Sequence, residues 1–349
     1  MTTIDQLLSE VEAHVDAGAV PAAQVAVGHN GMVAAFGTFG AATDETRFCV
    51  FSATKPLVAS VMWMLMGDGL ADPGHAIGRH IPELVSACLG DVTLEQVLLH
   101  TGGFPNAPMT EVDGADPARR RERFATWRPE WVPGSRFEYH SGSAHWVLAD
   151  LIERLTGCDH REVLEKRVCT PLGLPRVLGL APSQQQDLAQ LVAVDAEAQS
   201  DDGLRFNDPV VREAGGPGGG AFMTAADLAS FYQALLRNPG GMWDEGVLRD
   251  ATSNVRCTFD DPLLGVAVNR TLGLVLAGDD GNHELRYAIF GRGCSPGAFG
   301  HAGAHGQVAW ADPATGISFA YVSSAVDSDP LRSGLRANRL ATIAASLVL

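Results

Sequence analysis

Lysine is almost absent from this chain. Of 349 residues only Lys55 and Lys166 are lysines, and arginine supplies every other fixed side-chain cation. Charged residues are few, 19%, and acids outnumber bases to give a formal net charge of -16. Such a chain repels polyanions, so nucleic-acid binding would need a concentrated basic patch. The only basic run, Arg119-Arg120-Arg121-Glu122-Arg123, has Glu111 and Asp116 nearby and reads as a solvated helix face. No low-complexity tract or internal repeat is present, which argues against disorder and against a solenoid. The six cysteines, Cys49, Cys88, Cys158, Cys169, Cys257 and Cys294, are scattered without a C-x-x-C and read as reduced thiols. The first residues lack the basic and apolar regions of an export signal. No apolar run is long enough to span a bilayer, since the Ser60 to Gly67 stretch is bounded by Lys55-Pro56 and Asp68-Gly69. A cytoplasmic protein is expected, with neither nucleic acid nor membrane as partner. There is no His-Glu-x-x-His; His301 and His305 lie four apart in a glycine-rich segment rather than on a helix, and Gly215 to Gly220 lacks the Gly-Lys-Ser/Thr of a phosphate loop. No metal and no cofactor are expected.

What is present is apolar: 46% of residues are hydrophobic, ample for a large core. Ile4, Leu7, Leu8, Val11 and Val15 recur at helical spacing. Gln24 to Gly28 and Met32 to Phe36 flank His29-Asn30-Gly31, and Asn-Gly is a strong hairpin signal. Arg47 to Phe51 suits a short strand, and Thr54 to Met66 is apolar on nearly every side, as in a buried helix. Helices are predicted at Leu94 to Leu99, Ala118 to Trp127, Ala144 to Leu155, Arg161 to Val168 and, after the capping-box-like Thr224-Ala225-Ala226-Asp227, Leu228 to Leu236. The last third returns to strands, Gln307 to Ala311 and Ile317 to Ser323, and closes with a helix from about Leu331 to Leu347. Strands at both ends with helices between imply an α/β (α+β) fold. One antiparallel sheet is assembled from both termini and flanked by helices, with a helical lobe inserted. The expectation is a single catalytic unit over 1–349, its α/β part about 1–70 and 221–349 and its mainly helical lobe about 71–220.

Ser52-Ala53-Thr54-Lys55 places a hydroxyl and an amine three residues apart at a helix start, on one face. A serine hydroxyl is a poor nucleophile without a base in hydrogen-bond reach. A buried lysine can serve, because desolvation disfavours its ammonium. The helix dipole also favours an oxyanion forming at Ser52. Serine is common, so the pair alone is a weak signal. What strengthens it is Lys55 itself, a rare lysine set before an apolar helix, whereas Lys166 in Glu162-Val163-Leu164-Glu165-Lys166 reads as an ordinary solvated residue. Gly293-Cys294-Ser295-Pro296-Gly297 matches the nucleophile elbow Gly-x-Ser-x-Gly, but Pro296 has no N–H to offer an oxyanion and no helix follows. His100 and His145 read as structural.

Tyr139-His140-Ser141 precedes a further helix, and Gly300-His301-Ala302-Gly303 precedes a strand pair. With Ser52-Ala53-Thr54-Lys55 these runs resemble, in order and spacing, the three motifs of the serine β-lactamase and D-alanyl-D-alanine peptidase superfamily. The chain is most similar to class C β-lactamases and family VIII carboxylesterases. Leu98 to Gly103 and Gly219 to Leu228 add to the likeness, which runs over about residues 4 to 348. Ser141 stands where the second motif has Asn, and His301-Ala302-Gly303 is the esterase-like variant of Lys-Thr-Gly. The resemblance implies an acyl-enzyme on Ser52, Lys55 as partner base and Tyr139 as proton relay to the leaving group. It implies an oxyanion hole of the Ser52 and Ala304 N–H groups, and substrate contacts at His301, Gly303 and Ser141. The relatives' Lys-Thr-Gly offers a cation and a hydroxyl to a substrate carboxylate; here His301 and Ala302 offer neither, unless Arg292 or another arginine approaches. The partner expected is therefore a small ester or amide, most simply a neutral ester. β-Lactam or D-amino-acid peptide hydrolysis, acyl transfer, and a non-enzymatic scaffold are the alternatives.

Overall fold

A computed structural model describes residues 3–349. Its main sheet comprises β1 (Ala22–His29), β2 (Met32–Gly40), β3 (Val275–Leu276), β4 (Phe299–Gly303), β5 (Gln307–Asp312) and β6 (Ile317–Ser323). All neighbours are antiparallel, in the order β2-β1-β6-β5-β4-β3. The two ends of the chain therefore meet at the β1–β6 pair. Asn30 (φ 54°) and Gly31 (φ 80°) both take the left-handed conformation that a two-residue hairpin requires.

Five helices frame the sheet and the cleft: α1 (Ile4–Asp16), α2 (Lys55–Gly67), α3 (Ser143–Thr156), α4 (Ala225–Arg237) and α5 (Pro330–Ala345). Side chains alternate across the strands. Val25, Val27, Trp310 and Phe319 face one layer with Leu7, Val11 and Leu340 of α1 and α5. Ala26, Ala309, Ala311 and Val322 face the other, with Leu228 and Phe231 of α4 and Leu57 and Val61 of α2. The small residues on that second face let α4 lie close to the sheet. α2 is buried on nearly all sides, as its apolar sequence predicts, and packs on α3.

Among the described residues, no strand of the main sheet falls between 41 and 274. This stretch of helices and turns is tied down by two short ladders. Phe48–Cys49 pairs with Phe222–Met223, and Val192–Ala193 pairs with Ala325–Val326. Its apolar side chains, including Trp127, Trp146 and Leu148, join the same core as α2.

The basic run departs from its reading as a solvated face. Arg119, Arg121 and Arg123 reach solvent, but Arg120 is fully buried. Its Nε and Nη2 donate to Asp150 Oδ1 at 3.1 and 3.0 Å, its Nη1 to Gly114 O at 2.7 Å, and Glu153 completes the cluster. Asp150 and Glu153 lie on α3, about thirty positions away, so a run of like charges gave no sign that one member is neutralised inside.

Candidate active site

Ser52 stands in a 3-10 turn, Phe51–Thr54, and α2 begins at Lys55. The pair thus opens a helix, as its spacing predicts, with the first turn in 3-10 form. The tighter turn eclipses positions three apart and so sets Lys55 directly against Ser52, with Nζ 3.1 Å from Oγ. Phe51 enters the turn at φ 44°, an uncommon backbone for a residue with a β-carbon. Its ring is wedged against Phe206 and His305, with centroids 5.6 and 5.1 Å away. The end of β4 presses on this segment: a β-carbon at Gly303 would fall 2.3 Å from Val50 O. Glycine there is a packing requirement of the turn that carries Ser52.

The Lys55 side chain is only 1% exposed. Its amine donates to Ser141 O at 2.7 Å and Gly218 O at 2.6 Å. Carbonyl oxygens only accept, so these two contacts commit two N–H groups whatever the charge on the amine. The third direction points to the Ser52 hydroxyl, which can accept from an ammonium or donate to an amine lone pair. Burial pulls the Lys55 pKa below its ordinary value; Tyr139 pulls it back up, and Arg270 adds to the lowering. Burial thus makes a neutral amine facing Oγ–H easier to reach than it is for a lysine in water, against the pull of the two carbonyls.

Tyr139 is half-buried, its ring centroid 5.0 Å from Lys55 Nζ and 4.7 Å from the His100 ring. The structure brings Ser52, Lys55 and Tyr139 together. An open cavity of about 540 Å³ reaches Ser52 and is lined further by Ser141, Gly218, Ala304 and His305, with Trp146 and Met109 as apolar wall, while Lys55 and Tyr139 stand behind that lining. Glu111, Asp201, Asp202 and Arg205 line it further out, and Arg205 is paired with Glu111 and Asp202. Ser141 enters the Lys55 cradle through its carbonyl, a role that the main chain of any residue can fill. His301 is 4% exposed and does not line the cavity; its ring lies 6.3 Å from that of Tyr139 and its Nδ1 donates to Ala302 O at 2.6 Å.

Two residues of this site carried no sequence signal. Gly218 holds Lys55 from 163 positions away, and the only hint was a glycine run. Arg270 is buried beside Tyr139, its Cζ 5.2 Å from the ring centroid. Arg292 is not the arginine that approaches; it is exposed and pairs with Glu284. Ser295 of the elbow-like run gives its hydroxyl to Asp312 Oδ1 at 2.6 Å and its N–H to Oδ2 at 2.8 Å, a turn tether with no histidine. Glu153, Asp159 and His160 cluster as metal ligands do. Their carboxylates are engaged by Arg120 and Arg161.

The imidazoles packed around the site should make the fold acid-sensitive. In His140, Nδ1 donates to Glu138 O at 2.6 Å and Nε2 accepts from Phe104 N at 3.0 Å, so protonating Nε2 breaks a bond. Burial brings its pKa down to about 4. His100, His145 and His301 are held well below the usual imidazole value, by burial first and then by neighbouring cationic groups. In the unfolded chain these histidines titrate near about 6.5. As pH falls from there, the unfolded state binds protons that the fold excludes, so stability falls with it. Down to the folded value, His140 alone accounts for about 3 kcal/mol. Denaturant midpoints at pH 7, 6, 5 and 4 should drop steadily from about 6.5 downward; a flat profile across that range contradicts the account.

Comparison with known proteins agrees with this architecture. The Beta-lactamase family model matches residues 7–343. The esterase/beta-lactamase LipL of Mycobacterium tuberculosis is 26% identical over 307 residues, 78% of this chain and 68% of LipL. Among solved structures, a family VIII carboxylesterase aligns with a TM-score of 0.80 at 23% identity, covering 97% of each chain. A penicillin-binding protein homologue from Caulobacter crescentus aligns with a TM-score of 0.78 at 24% identity, covering 97% of this chain and 95% of that one. Since the match runs from within α1 into α5, through every strand and turn that builds the Ser52 cleft, the chain belongs to the Beta-lactamase family of serine hydrolases.

Proposed function

We propose that the chain hydrolyses small neutral carboxylic esters through an acyl-enzyme on Ser52. The observation that carries this reading is the Lys55 amine, stripped of water and held by two carbonyls 3.1 Å from Ser52 Oγ. As Oγ bonds to the ester carbonyl carbon, its proton passes to the amine and the carbonyl π electrons move onto oxygen. The N–H groups of Ser52 and Ala304, both on the cavity wall, are suited to hold that oxyanion. When the tetrahedral centre collapses, the C–O bond to the alcohol breaks. Tyr139 passes the proton to the departing oxygen and is restored from Lys55. A water then repeats the sequence on the acyl group and frees Ser52. The substrate partner is a small molecule, and among the described residues no helix is long and apolar enough to cross a membrane. We read the chain as one cytoplasmic catalytic unit.

Preference for neutral esters rests on charge. His301 is buried and held neutral, and Ala302 has no hydroxyl. Nothing at the end of β4 therefore meets a carboxylate beside the scissile bond. Glu111, Asp201 and Asp202 outnumber Arg205 around the cavity and repel one. A charge-assisted hydrogen bond is worth roughly 1.5–3 kcal/mol, so its absence lowers kcat/KM about 10- to 150-fold. The test compares a short-chain aryl ester with a chromogenic cephalosporin. The ester should be turned over with the higher kcat/KM by at least that margin. Equal efficiency on both replaces this reading with β-lactam hydrolysis.

A further inference from the structure

Arg270 is the strangest charge in the molecule. It is 1% exposed, and its Nε, Nη1 and Nη2 have no hydrogen-bond partner. Arg120 and Arg286, the other fully buried arginines among the described residues, each have a carboxylate. Arg270 has three aromatic rings instead: Phe137, Tyr139 and Tyr287, with centroids 5.4, 5.2 and 5.7 Å from its Cζ. The buried carboxylate of Asp261 is spent on the Tyr287 hydroxyl and the N–H groups of Leu263 and Leu264. The Arg270 backbone is pinned by a ladder to Cys257, with N–H···O distances of 3.0 and 3.1 Å, and the guanidinium is packed among the three rings. A buried charge without a counter-charge is costly, and ring faces repay only part of it.

Lys55 and Arg270 share one ring, for Nζ and Cζ stand 5.0 and 5.2 Å from the Tyr139 centroid. We propose that Arg270 is a positioning residue of the Ser52 reaction: its uncancelled charge, laid against Tyr139 beside Lys55, keeps this proton-transfer pair one proton short. The inference rests on the ester-hydrolase reading above. With Lys55 as ammonium and Tyr139 as phenol, the pocket holds two positive charges in a medium of low dielectric. Releasing one proton from the pair leaves one charge, and an arginine cannot be the group that gives it up. Apart from Asp261, whose carboxylate is held beyond the Tyr287 ring by that residue's hydroxyl, the groups facing the pair from other elements add no competing charge. His100, His145 and His301 are held neutral by burial, and Ser141 O and Gly218 O bring only dipoles. The empty proton place is what the Ser52 proton fills when Oγ bonds to the carbonyl carbon, and it is emptied again when that proton leaves with the alcohol. The cation that the lysine of Lys-Thr-Gly supplies in relatives is thus set behind Tyr139. There it acts on the proton-transfer pair and is out of reach of a substrate carboxylate.

The test is the pH dependence of kcat/KM for a short-chain aryl ester in wild type, Arg270→Met, Arg270→Lys and Cys257→Asp. Cys257→Asp keeps the guanidinium and offers it a carboxylate from its ladder partner, so the proposal stays testable if Arg270→Met does not fold. Each preparation is normalised to the protein that a serine-directed phosphonate labels, which removes misfolded material from the comparison. Arg270→Met and Cys257→Asp should both move the rising limb up by about one pH unit, with about a tenfold loss at pH 7 that closes at high pH. Arg270→Lys should move the limb up by less than Arg270→Met does, because a buried lysine, unlike an arginine, can itself give up the proton. A purely structural Arg270 lowers the rate equally at every pH; an unmoved limb in whichever neutralised variant folds overturns the proposal. Absence of a phosphonate adduct on wild-type Ser52 is a different result, and it removes the ester-hydrolase reading itself.

Discussion

Ser52→Ala should abolish ester turnover, a loss of about 10⁶-fold, the order found when a catalytic serine is removed, while the protein stays folded. The hydroxyl makes a single side-chain hydrogen bond, to Lys55 Nζ at 3.1 Å, and it stands at the wall of an open cavity rather than in the core. Deleting it removes the proposed nucleophile and leaves the packing of Phe51 on Phe206 untouched. The same reasoning gives a covalent test on the wild type. A serine-directed phosphonate should add one adduct, and peptide mapping should place it on the segment holding Ser52. Ser295 is the competitor that its sequence run proposes, but its hydroxyl is already given to Asp312 and no imidazole stands by to activate it. An adduct on Ser295, or full turnover by folded Ser52→Ala, would overturn the mechanism.

Local signals in the sequence were dependable where the physics is local. Asn30-Gly31 turned the first hairpin, since only a few residue pairs accept two left-handed conformations in succession. Thr224 and Asp227 formed the capping box that opens α4, and Gly157 closed α3 at φ 70°. Ser52 and Lys55 were legible because three-residue spacing fixes their proximity in any tight helical turn. What failed to show was partnership across long separations. Arg120 reads like its neighbours until Asp150 and Glu153 meet it from α3. The carbonyls of Ser141 and Gly218, 86 and 163 positions from Lys55, have no sequence signature, because any residue offers a carbonyl. His301 was legible as a motif residue, but its burial was not: that depends on Tyr139 and the β4 environment closing over it. Arg270 was the least legible, because the sign of its importance is a missing partner, which only the assembled core reveals.

Lys55→Met and Tyr139→Phe should each lower kcat about 10²- to 10⁴-fold, the range for a positioned acid–base group, and the double variant should lose little more than the worse of the two. Methionine fills the volume of the lysine stem without a proton site. It leaves Ser141 O and Gly218 O undonated, yet it also removes a buried titratable group whose charged form the site disfavours. Tyr139→Phe keeps the ring against His100 and Arg270 and deletes only the hydroxyl. If the two groups share one proton, removing either breaks the same path from Ser52 to the leaving oxygen, so their losses cannot add. The pH profile separates them from bystanders. On the proposed mechanism the base is the neutral amine, so the wild-type rate should climb with pH through the lowered Lys55 value. In Lys55→Met that limb should vanish. Additive losses in the double variant would show two independent roles, and near wild-type turnover by folded Tyr139→Phe would strike the phenol from the mechanism, leaving Lys55 to carry the proton alone.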